Sequence, residues 1–412
     1  KSDGTQIGTV MVKDIRSGAT GSSPNYLTNI NGTLYFNADN GINGTELWKS
    51  DGTEAGTVIV KDIRSGSSGS ISDSLTNING TLYFRADNGI NGQELWKSDG
   101  TEAGTVMVKD INVLTVSSSL DNFTIINDSL YFQANDGING SELWKSDGTE
   151  AGTVMVKDIY SGSGGSSPSN LTNINGTLFF KANNGVNGEE LWKSDGTDAG
   201  TVMVKDIYSG SSGSSLAQLT NINGTLYFQA NDGINGVELW KSDGTDAGTV
   251  MVKDIRSGSS GSSLQKLTNV NSTLYFQAND GINGVELWKS DGTQIGTVMV
   301  KDIRSGASGS SPTNLTNVNG TLFFSADNGI NGQELWKSDG TQIGTVMVKD
   351  IRSGSSGSSL AYITNINDTL YFRATDGISG AELWKSNGTS EGTVMVGDVY
   401  PGSTDSSPAN IT

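Results

Sequence analysis

The chain repeats itself every 48 residues, and the stretch Glu-Leu-Trp-Lys-Ser-Asp-Gly-Thr that begins at Glu46 marks each copy. Glu-Leu precedes the tryptophan in every copy, and the Asp is replaced only in the last copy, by Asn387. The repeated tryptophans are Trp48, Trp96, Trp144, Trp192, Trp240, Trp288, Trp336 and Trp384. A fixed period of this length is typical of repeat architectures in which each copy is one supersecondary unit. We therefore expect a repeat fold in which these tryptophans are buried, structural side chains.

Each copy alternates between β-favouring runs and turn sequences. In the first copy, residues 27–30, 33–38, 46–50 and 57–63 are predicted strands. Asn31-Gly32 is a strong hairpin signal between the first two strands, and a Ser/Gly-rich crossover follows the fourth. Four short antiparallel strands per unit predict a propeller blade. The strands are apolar on both sides, which requires cover on both sides, as stacked blades provide.

The repeated residues also resemble known sequences. The Glu-Leu-Trp-Lys-Ser-Asp-Gly-Thr stretch and the Gly-Thr-Val-Met-Val-Lys-Asp that follows are similar, over the whole chain, to the tandem ELWxxDGT-repeat family of bacterial secreted or surface proteins. The strand order is similar to that of YWTD-type propeller blades. The first resemblance implies an extracellular or cell-surface location, and neither resemblance implies a catalytic residue.

The copy count predicts an all-β propeller of eight four-stranded antiparallel blades within a single repeat domain, residues 1–412. The blades occupy residues 27–398. Residues 1–26 bring an overhanging fourth strand (9–15) and a crossover, and residues 399–412 bring a crossover and the start of a first strand. A nine-bladed ring or an open superhelical array remains an alternative. The start in the middle of a motif indicates a piece of a longer protein.

Composition excludes several classes of function. The chain carries 44 acidic and 26 basic residues, for a net charge of −18, which repels nucleic acids and anionic membranes. It contains neither Cys nor His, so thiol nucleophiles, zinc sites and imidazole catalysis are absent. No apolar run approaches the ~20 residues that span a bilayer. We expect no nucleic-acid binding and no membrane insertion.

Comparing copies within the chain separates scaffold from surface. The position after Phe36 and the position before Glu46 differ between copies, and we expect both to face solvent. The crossovers start with planar or amide side chains, which are Arg16, Arg64, Asn112, Tyr160, Tyr208, Arg256, Arg304, Arg352 and Tyr400. Arg and Tyr are favoured at interfaces, but packing of a planar side chain over the neighbouring blade is the favoured reading. Where the other crossovers have a Ser/Gly-rich sequence, residues 112–117 include the apolar residues Val113, Leu114 and Val116. These three predict either a contact with another domain or subunit, or local burial.

Acidic turns suggest calcium, because calcium prefers several oxygen ligands anchored by carboxylates. The weak candidates are Asp39, Asp87, Asp136, Asp232, Asp280, Asp327 and Asp376. Because the carboxylate changes position between copies, Asx turns without a metal are the favoured reading and no cofactor is expected. The recurring charged residues of each copy, such as Glu46, Lys49 and Lys61, could form ion pairs across strands.

No pair of carboxylates is unique to one copy, so the sequence predicts no enzyme. We expect a non-enzymatic extracellular structural or adhesive repeat domain that contacts proteins or glycans through its rims. Two alternatives are a calcium- or carbohydrate-binding propeller and a fibre subunit joined through the overhanging end strands.

Overall fold

The computed structural model describes residues 1–70, 74–399, 401–406 and 408–409. Its 32 strands form eight four-stranded antiparallel sheets in which strands pair in chain order. The predicted fold class, an eight-bladed β-propeller, is confirmed, and the described residues contain no ninth sheet. They also contain no helix, and so none that could span a membrane.

Residue 1 and residues 11–213 form one compact unit of four blades. Blade 1 is β1 (Asn25–Ile30), β2 (Thr33–Asp39), β3 (Thr45–Ser50) and β4 (Val58–Lys61). Blade 2 is β5 (Thr76–Ile78), β6 (Thr81–Asp87), β7 (Gln93–Ser98) and β8 (Val106–Lys109). Blade 3 is β9 (Asp121–Ile126), β10 (Ser129–Asn135), β11 (Ser141–Ser146) and β12 (Val154–Lys157). Blade 4 is β13 (Ser169–Ile174), β14 (Thr177–Asn183), β15 (Glu189–Ser194) and β16 (Val202–Lys205).

Residues 2–10 and the described residues from 214 onward form the second unit. Blade 5 is β17 (Ala217–Ile222), β18 (Thr225–Asn231), β19 (Val237–Ser242) and β20 (Val250–Lys253). Blade 6 is β21 (Gln265–Val270), β22 (Thr273–Asn279), β23 (Val285–Ser290) and β24 (Val298–Lys301). Blade 7 is β25 (Thr313–Val318), β26 (Thr321–Asp327), β27 (Gln333–Ser338) and β28 (Val346–Lys349). Blade 8 is β29 (Ala361–Ile366), β30 (Thr369–Thr375), β31 (Ala381–Ser386) and β32 (Val394–Gly397).

The pairing gives every blade two different ends. We call the end that carries the first and third turns, including Asp51-Gly52-Thr53, the DGT end. The end that carries the second turn and the crossover to the next blade is the crossover end. Asn31 lies at φ 50° in the first turn, followed by Gly32 at φ 85°, the left-handed conformations that make Asn-Gly a hairpin turn.

The core lies between successive blades. On one face of blade 1, Tyr35 and Leu47 pack against Leu82 and Phe84 of blade 2, and Trp96 joins the same cluster. Equivalent clusters form at the other blade junctions within each unit. Burying side chains of this size contributes about 1.5–3 kcal/mol each, so a single blade could not be stable without its neighbours. The tryptophans are 6–7% exposed, as expected for structural residues.

The predicted overhanging strand at residues 9–15 does not form, although the structure describes all of these residues. A fourth strand pairs with the third strand of its own blade, as Leu47 pairs with Lys61, and the described residues offer residues 9–15 no such partner strand. In the first unit, Val12 and Ile15 instead border a cavity of about 250 Å³ beside Leu34 and Phe36. The predicted first-strand start at residues 410–412 lies outside the described residues.

Candidate functional site

A fully buried glutamate occupies the second position of every third strand. These residues are Glu46, Glu94, Glu142, Glu190, Glu238, Glu286, Glu334 and Glu382. The carboxylate of Glu142 accepts hydrogen bonds from the backbone N–H groups of Ile159 (3.0 Å) and Tyr160 (3.3 Å). It also accepts bonds from the N–H (2.9 Å) and hydroxyl (2.5 Å) of Ser166. All these donors belong to the crossover that leaves the blade. The glutamate therefore anchors the crossover and is not placed to act as an acid on a ligand.

Burial changes the titration of these glutamates. It raises the pKa of Glu46, Glu94, Glu238 and Glu334 to about 7, against the opposing effect of the hydrogen bonds that each carboxylate accepts. The pKa of Glu142 is also raised by burial. A raised pKa is often a sign of a catalytic group, but these carboxyls are enclosed by their own crossovers and repeat in every blade. Their titration therefore bears on stability.

The repeated lysines connect neighbouring blades through backbone carbonyls. Lys49 Nζ donates to the carbonyl oxygen of Gly100 at 2.8 Å, and Lys61 Nζ donates to that of Thr105 at 2.8 Å. Both acceptors belong to the DGT end of the next blade. Tyr35 covers the same turn so closely that a Cβ on Gly100 would lie 2.1 Å from its hydroxyl oxygen. The ammonium groups of these lysines are thus turned towards the neighbouring blade, where Lys157, the equivalent of Lys61, also pairs with Asp198 at 3.4 Å.

The Asp-Gly-Thr sequence forms the turn that the sequence predicts. The side chain of Asp51 accepts hydrogen bonds from the N–H (2.9 Å) and hydroxyl (2.7 Å) of Thr53, and Gly52 lies at φ 85°. These bonds, chiefly that from the Thr53 hydroxyl, hold the pKa of Asp51 below its ordinary value. The motif is thus an exposed, ionised turn that offers two carbonyls to the previous blade.

Three of the calcium candidates form ion pairs with three of the interaction candidates. Arg64 Nη1 lies 2.6 Å from Asp87 Oδ2, and Arg304 Nη1 lies 2.5 Å from Asp327 Oδ2. Arg16 pairs with Asp39 in the same way. In the described copies where the crossover begins with Tyr160, Tyr208 or Asn112, the next turn carries Asn instead of this Asp. Arg256 and Arg352, however, are followed by Asn279 and Thr375, so an arginine at the start of the crossover does not by itself determine the Asp.

The other four calcium candidates hold Asx turns. Asp136 Oδ1 accepts bonds from the N–H groups of Ile138 (2.9 Å) and Asn139 (2.8 Å), and its Oδ2 accepts one from Asn139 Nδ2 (2.7 Å). Burial raises the pKa of Asp136, but these hydrogen bonds outweigh it and the net shift is downward. The same arrangement recurs at Asp232, Asp280 and, with a Ser379 partner, Asp376. No group of three or more acidic side chains in the described part of the chain is arranged to hold a metal ion.

The side chains that begin the crossovers lie across the second turn of the next blade. A Cβ on Gly185 would lie 2.6 Å from the ring of Tyr160, and one on Gly281 would lie 3.3 Å from Arg256 Nε. Arg352 covers Gly377 in the same manner. Tyr208 is half-buried, and Tyr400 lies outside the described residues. Packing over the neighbouring blade thus accounts for these contacts, and it explains why glycine is kept beneath them.

Side chains that differ between copies collect at the crossover end. Two sets of side chains were expected to face solvent. The residues after the repeated Phe are Asn37, Arg85, Gln133, Lys181, Gln229, Gln277, Ser325 and Arg373. The residues before the repeated Glu are Thr45, Gln93, Ser141, Glu189, Val237, Val285, Gln333 and Ala381. The expectation is wrong for Asn37, Ser325 and Ala381, which are buried, and the other thirteen are half-buried. The two positions lie on paired strands, since Lys181 Nζ lies 2.8 Å from Glu189 Oε2.

The start of the first strand belongs to the same copy-specific surface. Thr313 pairs with Ser325 across the sheet, and their hydroxyls lie 2.7 Å apart. The next residue of the first strand adopts a left-handed conformation, as at Tyr26 (φ 56°) and Tyr362 (φ 53°), where the rings are 47% and 45% exposed. The first-strand positions were missed from the sequence, although the same comparison of copies could have found them.

Exposed apolar side chains form a second feature of the crossover end. Val113, Leu114 and Val116 are 69%, 61% and 61% exposed, so they are not buried locally. The tip of every second turn also carries an exposed aliphatic residue, which was not predicted. These residues are Ile42, Ile90, Ile138, Val186, Ile234, Ile282, Ile330 and Ile378, with exposures between 69% and 77%.

Comparison with known proteins gives similarity in structure only. No protein-family profile matches the chain, and no curated protein sequence does. Prolyl endopeptidases are similar at a TM-score of 0.46 and 11% identity, over 87% of this chain and 55% of theirs. Oligopeptidase B from Leishmania major gives 0.44 and 11%, over 85% and 52%. Puromycin hydrolase gives 0.41 and 12%, over 91% and 61%. The chain thus spans between half and two thirds of the length of these structures.

These comparisons correct the function expected from the sequence. We expected a non-enzymatic extracellular structural or adhesive domain, with calcium or carbohydrate binding and fibre formation as alternatives. The similar solved structures are instead those of peptidases and a hydrolase, so the structural or adhesive role and its two alternatives are wrong. At identities of 11–12% the likeness concerns the fold alone and assigns no peptidase activity to this chain.

Proposed function

We propose that the chain is a non-catalytic recognition domain that binds polypeptide through the copy-specific side chains of its crossover end. The observation that carries this proposal is the contrast between a nearly invariant scaffold and a few variable positions that lie together. These positions are the start of the first strand, the end of the second and the start of the third. Binding residues are commonly presented in this way by rigid frameworks.

The non-catalytic part of the proposal is supported by the structural roles of the charged side chains that recur in every copy. The buried glutamates anchor crossovers, the lysines bind carbonyls of the next blade, and the aspartates hold turns. A hydrolase of the two-carboxylate type needs a pair at a set separation in one cleft. In the described residues, the buried glutamates and the turn aspartates of the repeat are committed to the scaffold, so these carboxylates do not supply such a pair.

Polypeptide is the ligand that fits the residue types at these positions. Lys181 and Glu189 in blade 4, and Gln265 and Gln277 in blade 6, present charged and amide groups side by side. Amides both donate and accept hydrogen bonds, which matches the alternating N–H and C=O groups of an extended backbone. Exposed aromatic rings such as Tyr362 add contact area at a low entropic cost.

A swap between copies tests this function without endangering the fold. The variant S169A/N170Q/K181Q/E189V gives blade 4 the residues that blade 5 carries at the same positions. Phage-displayed peptides are selected on the unchanged chain, and their affinities are compared by fluorescence anisotropy. We expect at least about a tenfold loss for a subset of peptides, corresponding to one or two lost contacts.

The control is E150S at the DGT end, which copies the Ser390 of blade 8 and should leave every affinity unchanged. Failure to enrich any peptide over an empty surface, or equal binding by the swapped chain, would refute the proposal. Turnover of quenched peptide substrates by the purified chain would refute its non-catalytic part. Membership of the ELWxxDGT-repeat family and an extracellular location stay part of the proposal and rest on the sequence resemblance.

A further inference from the structure

The crossover at residues 112–117, which we call the Val-Leu crossover, is held between two turns of the first unit. On one side, a Cβ on Gly92 would lie 2.6 Å from the backbone nitrogen of Ser117. On the other side, a Cβ on Gly137 would lie 3.1 Å from Leu114 Cδ1. The hydrogen bond from the N–H of Ser118 to the carbonyl of Gln93, at 3.1 Å, fixes its end. The segment is therefore an ordered part of the surface.

This clamping brings exposed apolar side chains from three segments together. Ile90 lies two residues before Gly92, and Ile138 directly follows Gly137; they are 72% and 70% exposed. With the crossover residues they form the Val-Leu patch, which consists of Ile90, Val113, Leu114, Val116 and Ile138. Five aliphatic side chains at these exposures present apolar surface on the order of several hundred Å², a size typical of functional patches.

The chain bears a conformational cost to keep this segment as it is. Thr115 lies at φ 63°, a conformation that is unfavourable for a β-branched residue by about 1–2 kcal/mol. In the corresponding stretch, the other described crossovers place glycine in the left-handed conformation, as at Gly66 (φ 101°). The other crossovers have a Ser/Gly-rich sequence of the same length, which avoids both a left-handed β-branched residue and the exposed apolar surface. Strained backbone of this kind is concentrated at functional positions.

We propose that the Val-Leu patch is a self-association surface and that its partner is a second copy of this chain. The net charge of −18 makes two copies repel each other, so contact between them is opposed least where the surface carries no charge. Residues 112–117 contain no charged side chain, whereas five other crossovers begin with arginine.

The patch also has the number and size that a dimer needs. Among the residues that the structure describes the patch occurs once, so contact with its own counterpart closes at two copies and does not polymerise. A standard interface buries about 800 Å² per partner with an apolar core and a polar rim. The patch is of the right size for such a core, and the copy-specific polar residues around it would form the rim.

Sedimentation equilibrium of the unchanged chain tests the proposal. We expect a monomer–dimer equilibrium with a dissociation constant below about 100 μM, which is in the range of weak specific dimers. Association should strengthen as salt rises, because salt screens the repulsion between the acidic chains. A monomer at all concentrations up to that value, or association that weakens with salt, would overturn the proposal.

Two variants keep the test specific to the patch. Replacing residues 112–117 by the Arg-Ser-Gly-Ser-Ser-Gly of residues 64–69 should weaken association at least about 100-fold. V113S/L114S/V116S should have the same effect, and its fold is safe because all three side chains are exposed. I282T, which changes a single exposed turn tip outside the patch, is the control and should dimerise normally. Dimerisation that survives both patch variants would show that another surface is responsible. Peptide binding is measured separately, so its failure and the failure of dimerisation can be distinguished.

Discussion

Replacing Glu142 by glutamine is the sharpest test of the role assigned to the buried glutamates. The substitution keeps the shape of the side chain but turns one oxygen into an NH2 group. Each oxygen of Glu142 accepts two hydrogen bonds, from the Ser166 and Tyr160 N–H groups and from the Ile159 N–H and Ser166 hydroxyl. The amide therefore loses up to two hydrogen bonds, and its NH2 group faces backbone N–H or hydroxyl donors of the crossover.

The magnitude follows from two opposing effects. Hydrogen bonds to a charged group contribute about 1.5–3 kcal/mol each, so losing two costs on the order of 3–6 kcal/mol. The amide is neutral, however, and avoids the burial penalty that raises the pKa of Glu142. We expect a net loss of about 2–4 kcal/mol in the free energy of unfolding.

Urea unfolding followed by tryptophan fluorescence measures this loss, because all eight tryptophans are buried. Amide hydrogen exchange at Tyr160 and Ser166 should also accelerate. The matched control is E189Q, which removes one charge from a surface pair with Lys181 in which the Glu189 side chain is 45% exposed; its effect should stay below about 1 kcal/mol. A loss for E142Q no larger than that of E189Q would refute the anchoring role.

Three further predictions test the scaffold. Four of the buried glutamates have a pKa of about 7 in the folded chain, against an ordinary value of 4.5, so between pH 4.5 and 7 the folded state binds up to four more protons than the unfolded state. The free energy of unfolding should therefore fall as pH rises through this range. Urea titrations at several pH values measure this trend, and a rise in stability would contradict the assignment. Below that range stability should fall again, because hydrogen bonds from the turn threonines lower the pKa of aspartates such as Asp99 and Asp147. K109M should lower the free energy of unfolding by about 1–2 kcal/mol, because it removes the bond from Lys109 Nζ to the Thr153 carbonyl (2.8 Å) in the next blade. The comparison variant is K181M, which breaks only the ion pair with Glu189 within one blade, and equal stability of the two variants would count against the contact between blades. The double variant R304Y/D327N reproduces the Tyr160–Asn183 combination of blades 3 and 4, so its free energy of unfolding should lie within about 0.5 kcal/mol of that of the unchanged chain. R304Y alone should lose more, up to about 1 kcal/mol, because it leaves Asp327 without its ion-pair partner. Additive losses in thermal unfolding would disprove the coupling.

The repeat by itself determined the architecture. A 48-residue period, an Asn-Gly turn and strands that are apolar on both sides leave few alternatives to stacked four-stranded blades. The local pattern alone predicts a strand at 33–38, where the structure has Thr33–Asp39. Copy comparison also identified Val113, Leu114 and Val116 as unusual, because a departure from eight-fold repetition is visible without coordinates.

Only the tertiary structure decided what the charged residues do. The partner of Lys61 lies 44 residues away in the next blade, and that of Arg64 lies 23 residues away across a crossover. Such pairs depend on how blades pack, and no local pattern encodes this distance. Burial is likewise a property of the packed blades: Glu46 reads as a surface residue in sequence and is enclosed because the crossover folds back over it.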